Sequence, residues 1–244
     1  MPEGLQMETL FEKYRPRSFD EVLGQDAAIQ KVRLLLSRCW GGRAWWISGP
    51  SGTGKTTIAR IIAAHGADDL YITEYDTADA ITAAEIRRIE RSMCHLAPGK
   101  GGRAFILNEA HGMKKPIVRR FLGLLERVPR HVSFMFTTTK TGDEDLFDYP
   151  MDPQPLLSRC ARIELTTQGL SRVFAQHCRR IAEAEGLGNG PVEACLELAE
   201  RCRGNCRQML MAVEAGEMLA GGRQAHPSGE QGFGQPDKLG VTNG

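Results

Sequence analysis

Gly49-Pro50-Ser51-Gly52-Thr53-Gly54-Lys55-Thr56 is the stretch that decides how this chain is read. It fits G-x-x-x-x-G-K-[ST], a loop whose glycines turn the backbone so that successive N–H groups face one cluster of phosphate oxygens. A helix opening near Lys55 adds the positive end of its dipole at the same point. The Lys55 ammonium is suited to β- and γ-phosphates and the Thr56 hydroxyl to Mg2+, with Thr57 following on the first helical turn. These residue types imply ATP and Mg2+ as cofactors, bound by Gly49 through Thr57. A chance glycine turn needs no apolar strand before it and no apolar-faced helix after it; this chain has both.

Residues 44–48, with two Trp, read as a buried strand, and residues 55–65 as a helix. The alternation continues outward. Strands are expected at 70–75, 103–108, 132–138 and 160–165. Helices are expected at 25–40, 82–95 and 116–128, the last with proline at its first turn. Residues 98–102 form a Pro-Gly loop, and residues 141–155 a longer one with three prolines and several acids. Strands alternating with helices indicate a parallel sheet covered on both faces, so the fold class is an α/β sandwich on five parallel strands. From Gln168 the period is helical only, through Phe174, Cys178 and Ile181, then Cys195, Ala199 and Cys202, then Cys206, Met209 and Val213. The expected organisation is a nucleotide-binding domain at 1–166, a small three-helix domain at 167–220, and a disordered Gly-, Gln- and Pro-containing tail at 221–244.

A phosphate loop needs a second element, an apolar strand ending in acids that hold Mg2+ and polarise the attacking water. Phe105-Ile106-Leu107-Asn108-Glu109-Ala110-His111 is that segment. Glu109 is the candidate general base, and His111 reads as turn or packing material.

The 244 residues carry 31 Lys plus Arg against 30 Asp plus Glu, a net charge of +1, which excludes a wholesale basic nucleic-acid coater and an acidic disordered chain. No apolar run approaches the roughly 18 residues of a membrane span, so no membrane partner is expected. Residues 1–12 have no apolar signal core. Seven Cys without a regular framework point to a reducing, cytoplasmic setting. Near-neutrality still permits charge divided in space: residues 85–131 hold eleven Lys or Arg against four acids.

Glu12-Lys13-Tyr14-Arg15-Pro16-Arg17-Ser18-Phe19-Asp20-Glu21-Val22-Leu23-Gly24-Gln25 resembles the N-terminal signature of AAA+ clamp-loader ATPases. That family includes the small subunits of replication factor C and the gamma/tau subunit of bacterial DNA polymerase III. Similar segments follow in family order. Glu126-Arg127-Val128-Pro129-Arg130-His131-Val132 falls before the fourth core strand, and Thr137-Thr138-Thr139 at the polar sensor ending it. Ser158-Arg159-Cys160 looks like the SRC motif, and Gly204-Asn205-Cys206-Arg207 like the sensor-2 segment of the lid. The resemblance spans about residues 8 to 215.

The resemblance implies a P-loop AAA+ αβα sandwich followed by a helical lid. It implies that Tyr14, Arg15 and Val22 border the adenine pocket and that Thr138 is sensor 1. Arg207 would be sensor 2, reaching the same nucleotide from the lid, and Arg159 an arginine finger completing a neighbouring subunit's site. A finger supplied in trans makes hydrolysis depend on assembly. The implied partners are other AAA+ clamp-loader subunits, a sliding clamp and primer-template DNA. Helices lining the family's DNA spiral correspond here to Arg87, Arg88 and Arg91, and to Lys114 and Lys115. Such phosphate contacts would be sequence-independent and salt-sensitive.

The chain departs from the family at Asn108, where Asp is usual. An amide carries no charge, so the Mg2+ site is expected to be weaker by ~1–3 kcal/mol and hydrolysis slow but not absent. The bacterial gamma/tau subunit has a four-cysteine zinc module between the phosphate loop and the acidic strand, an interval that here holds only Cys94. Cys195, Cys202 and Cys206 read as core positions, so no metal beyond Mg2+ is expected. The chain also stops about where the family's helical collar would begin. Three functions remain open: a clamp-loader ATPase subunit, a subunit that binds ATP structurally and lends Arg159 to a partner, and a related AAA+ repair or branch-migration motor. The SRC motif favours clamp loading over the last.

Overall fold

The computed structural model describes residues 8–141, 146–188 and 190–217. The expected tail at 221–244, and the acids at 143–145 of the long loop, lie outside the described residues. In chain order the elements are α1 Leu10–Lys13, α2 Asp26–Leu36, β1 Arg43–Ser48, α3 Lys55–Gly66, β2 Ile72–Tyr75, α4 Ala83–Ser92, β3 Arg103–Leu107, α5 Lys115–Leu125, β4 Val132–Thr138, α6 Gln154–Leu157 and β5 Cys160–Glu164. Three helices follow: α7 Ser171–Ala184, α8 Val192–Arg201 and α9 Cys206–Glu214.

The five strands make one sheet in the order β2-β3-β4-β1-β5, every pair parallel. Parallel neighbours need crossovers, and the intervening helices provide them. Side chains alternate across the sheet. Trp45, Ile47, Ile106 and Met135 face α2 and α3, meeting Val32, Leu36, Ile58 and Ile62. Trp46, Phe105, Phe134 and Phe136 face α4 and α5, meeting Ile86, Ile89, Val118 and Phe121. Phe121 stands edge-on to both Phe134 and Phe136, the orientation favoured by ring quadrupoles. Central β4 is buried at all seven positions, which is why it reads as a continuous run rather than an alternating one. The result is the expected α/β sandwich on five parallel strands.

Several boundaries differ from expectation. The helix expected over 25–40 stops at Leu36; Trp40 then folds over α3 and donates from Nε1 to Ile62 O at 2.6 Å. The helices expected over 82–95 and 116–128 end at Ser92 and Leu125. The strand expected from 70 begins at Ile72, because Asp69–Tyr71 is a 3-10 turn and Leu70 is 91% exposed. The 141–155 segment is partly packed: Leu146 and Phe147 are buried in the α4–α5 layer, and α6 starts at Gln154.

Beyond β5, helices α7, α8 and α9 close around Phe174, Cys178, Ile181, Cys195, Leu198, Met209 and Val213. This cluster also takes in Leu10, Phe11 and Tyr14, so α1 packs on the C-terminal helices rather than on the sheet. Cys195 is buried as expected, whereas Cys202 and Cys206 are half-buried at the rim of that core. Among the described residues no helix is long and apolar enough to cross a membrane.

Candidate active site

The C-terminal ends of β1, β3 and β4 come level: Ser48 pairs with Thr138, and Leu107 with Phe136. Everything that leaves these strands converges on one edge. Gly49 N donates to Thr138 O at 3.2 Å, tying the start of the loop to β4. Gly52 has φ 76°, and a Cβ there would lie 1.9 Å from Asn205 Oδ1, so only glycine lets the loop touch the N-cap of α9. Gly54, at φ 93°, caps α3 with open space where a Cβ would point.

Lys55 is 6% exposed, and its Nζ donates to Pro50 O at 2.8 Å. Burial pulls its ammonium down to about 8, with the Glu109 carboxylate acting the other way. An ammonium has three donors, and a phosphate would supply acceptors that Pro50 O alone does not. Thr56 Oγ1 and Thr137 Oγ1 both donate to Asn108 Oδ1, each at 2.9 Å. Asn108 Nδ2 donates to Glu74 Oε1 at 2.8 Å. Arg60 holds the same Glu74 carboxylate through Nε at 2.7 Å.

Glu109 stands in the left-handed region at φ 51° and ψ 49°, which costs a non-glycine residue ~1–2 kcal/mol. Its Oε2 accepts from Thr139 Oγ1 at 3.4 Å and lies 3.4 Å from His111 Nδ1. His111 Nδ1 is also 3.0 Å from Thr138 Oγ1. His111, expected as packing material, therefore links Glu109 to Thr138. Strand alternation separates the two threonines: the Thr137 hydroxyl meets Asn108, while buried Thr138 reaches the site through His111.

Tyr14, Arg15 and Val22 line one pocket with Gly52, Thr53, Gly54 and Thr57 on one side and Phe174, His177, Cys206 and Arg207 on the other. Arg15 Nη1 donates to Thr57 Oγ1 at 3.0 Å, and the guanidinium pairs with Glu12. Tyr14 donates to Glu185 Oε1 at 2.5 Å, and Lys13 pairs with the same oxygen at 2.7 Å. Arg207 lies over the Phe11 ring at 5.4 Å. It borders both this pocket and the adjoining cleft of Ser51, Lys55, Thr56, Asn108 and Glu109.

Arg159 stands apart. It precedes β5, whose first residue pairs with Ala44, near the opposite edge of the sheet from the loop. Along β1 the rise from Ala44 to Gly49 is about 17 Å. Arg159 pairs with Glu126 Oε1 at 2.6 Å and donates to Pro155 O at 2.5 Å. Arg87, Arg88 and Arg91 on α4, Lys114 at the N-cap of α5 and Lys115 on its first turn are all exposed and stand outside the cleft.

Sequence reasoning missed Glu74 and Arg60, and it placed Thr137 at the polar end of β4 without its bond to Asn108. Glu74 pairs with Ile106, two residues before Asn108, and so shares its face of the sheet. That neighbour relation requires the strand order, which no local pattern in the sequence carries. The donors and acceptors present suit a nucleotide with a divalent cation: loop N–H groups, Lys55 and Arg207 for phosphates, Thr56 with Asn108, Glu74 and Glu109 toward the cation.

No protein-family model matches the chain. The chain is similar to DNA polymerase III subunit gamma of Buchnera aphidicola subsp. Schizaphis graminum, 26% identical over 227 residues, covering 84% of this chain and 60% of the relative. It is similar to DNA polymerase III subunit tau of Escherichia coli K12, 25% identical over 230 residues, covering 85% and 34%. Against DNA polymerase III subunit gamma/tau of Mycobacterium tuberculosis H37Rv, identity is 30% over 158 residues, covering 54% and 27%. The chain thus spans 60% or less of the length of these curated relatives. Among solved structures, the Thermotoga maritima RuvB Holliday junction branch migration motor superposes with a TM-score of 0.60 at 22% identity, covering 82% of this chain and 64% of that one. That likeness concerns the fold.

Proposed function

We infer, from the premise that the chain belongs to the AAA+ clamp-loader family, that it is a subunit which binds and hydrolyses ATP to work a sliding clamp on primer-template DNA. The observation that carries this reading is the convergence of Lys55, Thr56, Asn108, Glu109 and Arg207 on one cleft at the C-terminal edge of the sheet. Mg2+ would supply positive charge here that offsets the charge of the phosphates. Thr56, with Asn108 and Glu74 behind it, is the group that would hold the cation. Loop N–H groups and the Lys55 ammonium bind the phosphates. Glu109, at the strained turn after β3, takes the proton of the attacking water on its carboxylate. Thr138, at the end of β4, reports on that carboxylate through His111.

Tyr14, Arg15 and Val22 form the base side of the site. Residues 167–217 act as a lid that brings Arg207 over the phosphates. Arg159, on the far edge, serves a neighbouring subunit's site and cannot serve its own. Arg87, Arg88, Arg91, Lys114 and Lys115 meet DNA phosphates.

A second reading, in which ATP is a structural ligand, draws on one observation: position 108 is a neutral amide with every polar atom already engaged. Turnover separates the two. ATPase activity is measured for the chain with combinations of candidate partner subunits, clamp and primed DNA. Stimulation by clamp and DNA together supports the first reading. Tight ATP binding with no turnover in any combination selects the second.

A further inference from the structure

Asn108 is oriented by its neighbours. Thr56 and Thr137 each direct a hydroxyl at Oδ1, and Glu74 accepts from Nδ2 at 2.8 Å. Turning the amide over would set Oδ1 against the Glu74 carboxylate, two acceptors with no proton between them. One orientation is therefore fixed, with the amide oxygen toward Thr56. Glu74 is in turn fixed: Arg60 Nε meets Oε2 at 2.7 Å and Arg60 Nη2 meets Oε1 at 3.2 Å. Its side chain is 19% exposed and borders the same cleft as Lys55, Thr56 and Glu109.

A hydroxyl, an amide and a carboxylate thus run in series from α3 through β3 to β2. Hydrogen bonds in series polarise one another, so a carboxylate accepting from Nδ2 makes Oδ1 a stronger acceptor. A divalent cation of the Mg2+ type is held through oxygens that carry negative charge, and Asn108 brings none of its own. Asp76 and Glu12 border the cleft too, but neither bonds to Asn108 or Thr56.

We propose that Glu74 is the positioning residue of the cation side of this cleft: through Nδ2 of Asn108 it supplies the negative charge and fixes the amide oxygen toward Thr56 and the cation. The inference rests on the reading of the loop as an ATP–Mg2+ site. It assigns to β2 a charge that the strand-end position 108 does not carry.

The test titrates a fluorescent ADP analogue into the full chain at several MgCl2 concentrations and again in EDTA. The wild type is expected to bind more tightly with Mg2+. Glu74→Gln is expected to lose about tenfold of the Mg2+-dependent part, the size of a charged hydrogen bond, and to keep the EDTA affinity. Glu74→Gln with Asn108→Asp, which moves the carboxylate one residue type inward, recovers the Mg2+ dependence. Arg60→Gln removes the salt bridge but leaves the charge, and keeps it. Melting curves establish that each variant is folded. A Glu74→Gln titration that overlays the wild type overturns the proposal, as does an Arg60→Gln loss equal to that of Glu74→Gln, which would make the ion pair a matter of structure alone. A wild type that binds no nucleotide under either condition sinks the nucleotide reading itself, and this inference with it.

Discussion

On the phosphate wall of the cleft, Thr56, Asn108, Thr137 and Glu74 are joined atom to atom across a helix and three strands. The base wall is different. There Val22 and Leu23 face Phe174 and Leu210, which belong to a separate hydrophobic cluster, and Arg207 lies on the Phe11 ring. The first wall inherits its geometry from sheet register, which cannot shift without breaking backbone hydrogen bonds. The second wall depends on how three helices and α1 sit together. Under the proposed function the first half would fix where phosphates go, and the packing of the second would set how near Arg207 comes to them.

The sharpest way to break this contrast is Lys55→Ala. If the phosphate wall dominates binding, nucleotide affinity falls by about 100-fold, in line with losing charge-assisted hydrogen bonds in a buried site. A fluorescent-nucleotide titration within threefold of wild type would mean that the base wall carries the affinity instead. Next in size is Asn108→Asp, which sets a carboxylate against Glu74 and removes the Nδ2 donor. The expected cost of ~1–3 kcal/mol lowers the melting temperature in EDTA by about 5 °C, and Mg2+ with nucleotide narrows the gap. Coincident melting curves in EDTA would show that the wall is softer than its hydrogen bonds imply.

Arg207→Ala sharpens the other side. Its exposed guanidinium is expected to contribute about tenfold to nucleotide affinity, with the melting temperature of the nucleotide-free protein unchanged. A drop in that melting temperature would identify Arg207 as a strut of the Phe11 contact rather than a ligand-facing group.

The smallest effect concerns the clasp between α1 and α7. Lys13, then Tyr14, hold the Glu185 carboxylate below its ordinary value of 4.5. A lowered carboxylate stabilises the fold above that value and loses the contribution as pH falls through its folded one. Glu185→Gln should therefore melt slightly earlier than wild type at pH 7, and the two should converge as pH drops below 4.5. A gap that persists in acid would assign the effect to packing rather than charge.

Much of the phosphate wall is legible in the sequence because its chemistry is local. Gly49 through Thr56 must lie between a strand and a helix to work, and Asn108-Glu109 must end an apolar strand; both demands show as patterns within ten residues. Glu74 is invisible in that way. It is 34 residues from Asn108, and only the β2–β3 pairing makes the two neighbours. His111 is similar: Thr138 lies 27 residues on, and the β3–β4 register brings them together. The early end of α2 at Leu36 was hidden because apolar periodicity runs on to Cys39, while Trp40 is drawn away to close over α3. Leu70 misled for the opposite reason: an apolar residue beside a strand need not belong to it.

The sequence by itself determined the phosphate loop, the acidic strand end, the alternation that gives a parallel α/β sandwich, and the helical period of the C-terminal segment. These follow from φ/ψ demands of glycine, from side-chain periodicity and from burial, all properties of short stretches. Only the tertiary structure decided that α1 joins the C-terminal helices, that Arg159 lies on the edge away from its own loop, and that Asn108 stands between two hydroxyls and a carboxylate. The physical reason is that strand order and register set which distant residues meet, and the free energy of those meetings belongs to pairs rather than to either residue alone.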